Sequence, residues 1–147
     1  MTSDAEVWKL QQEIPSDPSI GSGLIQPLLE AMTQFEWEDL DLFRVQLAYE
    51  EAITNAIRHG NQLSADKTVQ VGMHVDGERL EIEIVDQGPG FDLSKVPDPR
   101  DEDRLECPGG RGVLLIHSVM NQVHYSDRGN KVRMIKIKGQ RCKADDA

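Results

Sequence analysis

Cysteine is scarce in this 147-residue chain, which carries only Cys107 and Cys142. Two thiols make neither a disulfide framework nor a spaced metal site, and a pair of reduced side chains is expected. Long apolar runs are missing too, since none approaches the roughly 18 residues that a bilayer-spanning helix needs. The opening MTSDAEVWKL lacks the basic-then-apolar order of a secretory signal. The expectation is a cytoplasmic protein with no membrane attachment. Positive charge is also short: 16 Lys and Arg against 26 Asp and Glu leave a net charge of −10. That argues against nonspecific binding to nucleic acid, which depends on neutralising phosphates. The bases are unevenly placed. Residues 128–143 hold seven of them and no acid, which suits either a docking face for an acidic partner or a strand edge blunted by lysines.

What is present is ordinary for a soluble globular domain: 38% hydrophobic and 29% charged residues. The length fits one domain over 1–147, with a core from about 6 to 138 and a flexible C-terminal tail over 139–147. Residues 6–14 suit a first strand ended by Pro15 and Pro18. Ile20, Leu24, Leu28, Leu29 and Met32 fall at helical spacing and predict one helix over 19–33. Asp39 or Asp41 is placed to cap a second helix, whose apolar face runs from Val45 to Ile57, and Gly60 to end it in a left-handed turn. Alternation at 69–75 and 80–84 gives two strands around an Asp76-Gly77 turn. Residues 87–111, with four prolines and repeated glycines, are too broken for a regular element. Val113, Leu115, Ile116, Val119 and Met120 mark a third helix, and QVHYSD and KVRMIKIK look like closing strands. The alternation fails between Met134 and Ile135, so a bulge or a strand covered on both faces is expected there. Strands joined as antiparallel neighbours with helices on one face make an α+β two-layer sandwich.

Three stretches carry chemistry. In EEAITNAIRHGN, residues 50–61, Glu51, Asn55 and His59 recur every four residues along one flank of the second helix. Each step of four overshoots a turn by roughly 40°, so the three drift slowly across that flank. Glu51 alone suits a solvated carboxylate, and Arg58 and His59 suit the cationic end of a helix. Asn55 is harder to place, being a mediocre helix former. In VDQGPGFD, Asp86 ends an apolar strand and Gly88 and Gly90 follow. The carboxylate can accept from a ligand amine and glycines admit a flat ring or phosphate, though many turns look alike. In PGGRGVLLIHSVM, Gly109, Gly110 and Gly112 open the third helix, where free N–H groups favour an anion and Arg111 adds a charged donor. The phosphate-loop pattern and the dinucleotide fingerprint are both absent.

In this order and on these elements, the three stretches resemble the boxes of the Bergerat, or GHKL, ATP-binding fold. That fold is shared by DNA gyrase B, histidine kinases and MutL. The chain is most similar to the anti-sigma-factor serine kinases, the RsbW-like family, over about 6–138. The resemblance implies ATP and Mg²⁺ as cofactors. It implies that Asn55 holds the metal, that Glu51 is the general base, and that Asp86 takes the adenine amino group. It places Gly88 and Gly90 beside the adenine, and Gly110, Arg111 and Gly112 in the phosphate-binding lid. It further implies a homodimer that phosphorylates a STAS-type anti-anti-sigma protein and engages a sigma factor, or a partner-switch module that sequesters its target without phosphorylating it. The chain departs from the family at three points. Asn130 and Lys131 stand where members often have a Thr that assists adenine binding, Pro108 precedes the lid glycines where some relatives place a basic residue, a part open to Arg111 or Arg104, and the first helix has no arginine.

Overall fold

The computed structural model describes residues 7–88, 110–126 and 129–146. Strand β1 (Trp8–Pro15) leads into α1 (Pro18–Gly23), α2 (Ile25–Gln34) and α3 (Asp39–Thr54). Then come β2 (Thr68–Val75), β3 (Arg79–Val85), α4 (Gly110–Val119), β4 (Gln122–Tyr125) and β5 (Lys131–Ile137). The five strands form one sheet in the order β1-β2-β3-β5-β4. All four ladders are antiparallel, as expected for neighbouring strands joined in this order. The helices lie on one face, which bears out the α+β sandwich.

The helix-facing residues of the sheet are the alternating apolar ones: Val69, Val71, Met73 and Val75, then Leu80, Ile82 and Ile84, then Val132 and Met134, all buried. Against them pack Leu28 and Met32 of α2, Val45, Tyr49 and Ile53 of α3, and Ile116 and Val119 of α4. Alternation puts the polar residues on the other face, where Glu83 meets Lys131 at 3.4 Å and Glu81 meets His74 at 3.4 Å.

Several local expectations change. The single helix over 19–33 is two. Pro27 lacks an N–H and its ring would collide with the carbonyl of Gly23, so the helix stops there and restarts at Ile25. With the restart, Pro27 lies in the first turn of α2, where no N–H is needed. Asp17 caps α1 instead, its carboxylate accepting from Ser19 N at 2.9 Å. Neither Asp39 nor Asp41 caps α3; Glu38 takes that position without a side-chain bond, and both aspartates lie in the first turn. Gly60 is not left-handed either. After this helix the left-handed residues are Gln62 (φ 54°) and Leu63 (φ 59°). The ladder of β5 runs unbroken from Lys131 to Ile137, so it has no bulge. Met134, Ile135 and Lys136 are all buried, the mark of a strand covered on both faces.

The basic run dissolves into separate contacts. β5 lies between β3 and β4, so it is not an edge. Lys136 is fully buried, its Nζ 3.7 Å from Asp41 Oδ1 and 3.5 Å from Asn121 Oδ1. Lys138 Nζ donates to the carbonyl of Phe35. The segment after 138, treated above as a loose tail, forms a short 3-10 turn over Lys143–Asp146. There Arg44 of α3 meets Asp145 at 2.9 Å. The Cys142 N–H and the Arg44 guanidinium hold the Asp145 carboxyl down to about 2, from an ordinary 3.8.

Two predictions follow from these charges. Removing Asp41 strands a buried ammonium, so Asp41→Ala should lose about 3 kcal/mol in urea unfolding, and adding Lys136→Met should restore most of it. The Arg44–Asp145 clasp contributes fully above about pH 4 and is lost as pH falls through about 2, because a depressed carboxyl favours the folded state only while ionised. Protection of the Cys142 amide, taken relative to the free-chain exchange rate at each pH, should fall as pH drops through that window and stay level above it.

Candidate nucleotide site

The second helix does not end as an α-helix. Residues Asn55–Gly60 widen into a π-turn, in which Asn61 N donates to Ala56 O at 2.8 Å. Such a widening carries an extra residue per turn and is frequent at functional sites. Ala56 and Ile57 stay buried beneath it, while Arg58 and His59 face solvent. His59 therefore separates from the stripe and becomes a helix-end residue.

Glu51 and Asn55 remain together on the flank, one turn apart and both half-buried. Among the described residues, neither side chain has a hydrogen-bond or ion-pair partner. Both side chains therefore keep their hydrogen-bonding capacity for solvent or a ligand. Their neighbours Glu50 and Tyr49, by contrast, are engaged with Ser22 Oγ and the carbonyl of Gly21.

Asp86 follows β3 directly and is buried to 9% exposure. Its backbone is gripped by the strand that arrives from the far end of the chain: Asp86 N donates to Asn130 O at 2.9 Å, and Asn130 Nδ2 donates to Asp86 O at 3.3 Å. Its carboxylate accepts from Gly88 N at 2.9 Å. The position of Gly60 now has a reason. A Cβ there would lie 2.4 Å from the Asp86 carboxylate. One on Gly88 would lie 1.8 Å from the carbonyl oxygen of Gly60. The helix end and the loop after β3 touch backbone to backbone, which only glycine permits.

The sequence reading missed Asn61, which is completely buried and makes three side-chain hydrogen bonds in this contact. The available signal was an asparagine directly after Gly60 at a helix end. Gly110, Arg111 and Gly112 do open α4. Gly90 and the expected glycine at 109 lie outside the described residues, as do Pro108 and Arg104. Among the described residues, no group of three His, Cys, Asp or Glu side chains could hold a metal ion. A hard ion kept by one amide oxygen of Asn55 and by phosphate oxygens needs no such group, so the donor set fits magnesium carried in with a nucleotide.

A helix-backed antiparallel sheet with a buried carboxylate at a strand end, an Asn-bearing helix and a glycine-opened helix defines a nucleotide-binding sandwich. The chain belongs to the histidine kinase-like ATPase domain family, whose sequence model matches residues 14–136. It is 28% identical over 141 residues to the serine-protein kinase RsbW of Listeria innocua, covering 87% of this chain and 86% of that one. Against the serine-protein kinase RsbW of Bacillus licheniformis the identity is 30% over 141 residues, with 87% and 84% covered. A solved Mycobacterium tuberculosis structure containing RsbU and RsbW domains shares the fold, with a TM-score of 0.56 at 13% identity. The superposition covers 89% of this chain and 32% of that longer one. Among the described residues, no helix is long and apolar enough to cross a membrane.

The glycine contact predicts a ranked pair of effects. Gly60→Ala should cost about 1–3 kcal/mol in urea unfolding. Gly88→Ala should cost more, because its added methyl meets rigid backbone rather than a carboxylate that can turn aside.

Proposed function

We propose that the protein is a magnesium- and ATP-dependent serine-protein kinase of the partner-switching type, acting on a hydroxyl of a STAS-type anti-anti-sigma protein and holding a sigma factor in the alternative complex. The observation that carries this reading is the half-buried, unengaged Glu51 one turn before Asn55. Nucleotide binding alone has no use for a carboxylate at that place, since it would repel phosphates, whereas a proton acceptor for an incoming hydroxyl belongs there. Bound Mg-ATP supplies the transferable phosphoryl group and the counter-charge around it.

The chain's own residues do the rest. Asp86 accepts from the adenine amino group and so orients the base, with Gly88 and Gly90 letting the ring lie close to the backbone. Asn55 presents its amide oxygen to the metal. The first turn of α4, with Gly110, Arg111 and Gly112, offers N–H groups and a guanidinium to the phosphates. Glu51 takes the proton from the substrate hydroxyl as its oxygen bonds to phosphorus and the bond to the leaving diphosphate breaks. In a protein of net charge −10, this local positive potential has to be built from the metal, the helix end and Arg111.

A specific observation favours the non-catalytic alternative, in which the domain binds nucleotide and sequesters its partner without phosphorylating it. Asn130 stands where the family's Thr assists adenine binding, and its carboxamide is spent on Asp86 O and Ser126 Oγ. Labelled ATP and purified STAS proteins separate the two. Under the kinase reading, Glu51→Gln should lower phosphate transfer by 10²- to 10⁴-fold, an order-of-magnitude range, while ATP affinity stays within about twofold. Asn55→Ala should remove the magnesium dependence of ATP binding in calorimetry. A folded wild-type protein that binds Mg-ATP and transfers nothing to any partner leaves the sequestering module in its place.

A further inference from the structure

Asn61 is fully buried at the point where four segments meet. Its Nδ2 donates to Ser16 Oγ at 3.0 Å, just beyond β1, and to the carbonyl of Thr68 at 2.9 Å, where β2 begins. Its Oδ1 accepts from Gln87 N at 2.7 Å, in the segment leaving β3. Its own backbone N–H closes the π-turn on Ala56. The carboxamide can satisfy these groups in one orientation only, oxygen toward Gln87 and nitrogen toward Ser16 and Thr68. Gln87 is held from its other side as well, its Oε1 accepting from Thr68 N at 2.7 Å.

Gln87 lies between Asp86 and Gly88, the two residues pressed against Gly60. Without the Asn61 bond, the Gln87 N–H would lose its acceptor, and the segment would be free to turn that group toward water. That movement would carry the Asp86 carboxylate away from Gly60 and break its bond from Gly88. Among the described residues, the other hydrogen bonds of Gln87 use its Oε1 as an acceptor and supply none for the backbone N–H.

We propose that Asn61 is a positioning residue for base recognition, which sets the Asp86 carboxylate against the nucleotide without touching it. The inference rests on the reading of Asp86 as the group that accepts from the adenine amino group. It separates from a purely structural role through base selectivity. A buried amide that only holds the fold together lowers stability and leaves the preference of folded molecules among bases unchanged. One that sets Asp86 changes the preference itself.

The test compares equilibrium affinity for ATP and for inosine triphosphate, which carries an oxo group in place of the adenine amine. The proteins are the wild type, Asn61→Ala and Ser16→Ala. The wild type should prefer ATP, and Asn61→Ala should reduce that preference by about tenfold or more, the scale of a lost hydrogen bond to a charged group. Ser16→Ala removes an Asn61 partner but spares the Gln87 bond, so it should lower stability and keep the preference. A wild-type preference that survives intact in folded Asn61→Ala overturns the inference alone. A wild type that does not prefer ATP overturns the reading of Asp86, and the inference with it. Should Asn61→Ala fail to fold, hydrogen exchange on the wild type decides. The Gln87 amide should be as protected as the neighbouring strands and slowed further by ATP but not by inosine triphosphate. Exchange at a free-chain rate, or equal slowing by both nucleotides, overturns the proposal.

Discussion

The site depends on one backbone contact. The last turn of the second helix and the loop after β3 meet at Gly60 and Gly88, closer than any side chain would allow. Glu51 and Asn55 lie on the helix side of that junction, and Asp86 lies on the strand-end side. Because packed backbone has little freedom to slide, the contact fixes the spacing between Asp86 and the pair Glu51 and Asn55. The hydrogen bonds of Asn61 and Asn130 then tie the same junction to β1, β2 and β5, so the sheet itself serves as the ruler.

Much of this was legible in the sequence, for identifiable reasons. The strands declared themselves because one face of the sheet is dry and the other wet, and alternation in β2 and β3 records that division directly. Glu51 and Asn55 were visible because polar residues at helical spacing beside Ala52, Ile53, Ala56 and Ile57 need an account. Asp86 stood out as a carboxylate at the end of an apolar strand. Three features were hidden. The π-turn has no periodic signature over six residues, so a helix ended at Gly60 by a left-handed glycine was the natural expectation. The break near Leu24 comes from Pro27, whose clash falls four residues upstream of itself. The role of Asn61 comes from partners at positions 16, 68 and 87, and no local pattern contains that information.

The basic stretch near the C-terminus shows how sequence proximity misleads about electrostatics. Alternation sends Lys131 and Arg133 to the open face and Lys136 into the core, and the chain then carries Lys138 and Arg141 around the end of the sheet. Lys131, Arg133, Lys136 and Lys138 find separate neighbours in Glu83, Glu81, Asp41 and the carbonyl of Phe35. A run that looked like one positive surface is spread over both faces of the sandwich.

The place of β5 has a consequence for how the chain assembles. It is the last strand in sequence, yet it is inserted between β3 and β4, and the Asn130 that grips Asp86 stands directly before it. Until it docks, β3 offers a bare edge of unpaired N–H and C=O groups, open to pairing with a stranger. Contacts so distant along the chain form late and slowly. On a ribosome, then, the backbone of Asp86 would be among the final parts to lock, and a nascent chain would pass through a stage with most of its helices in place while this end of β3 still waits for its partner.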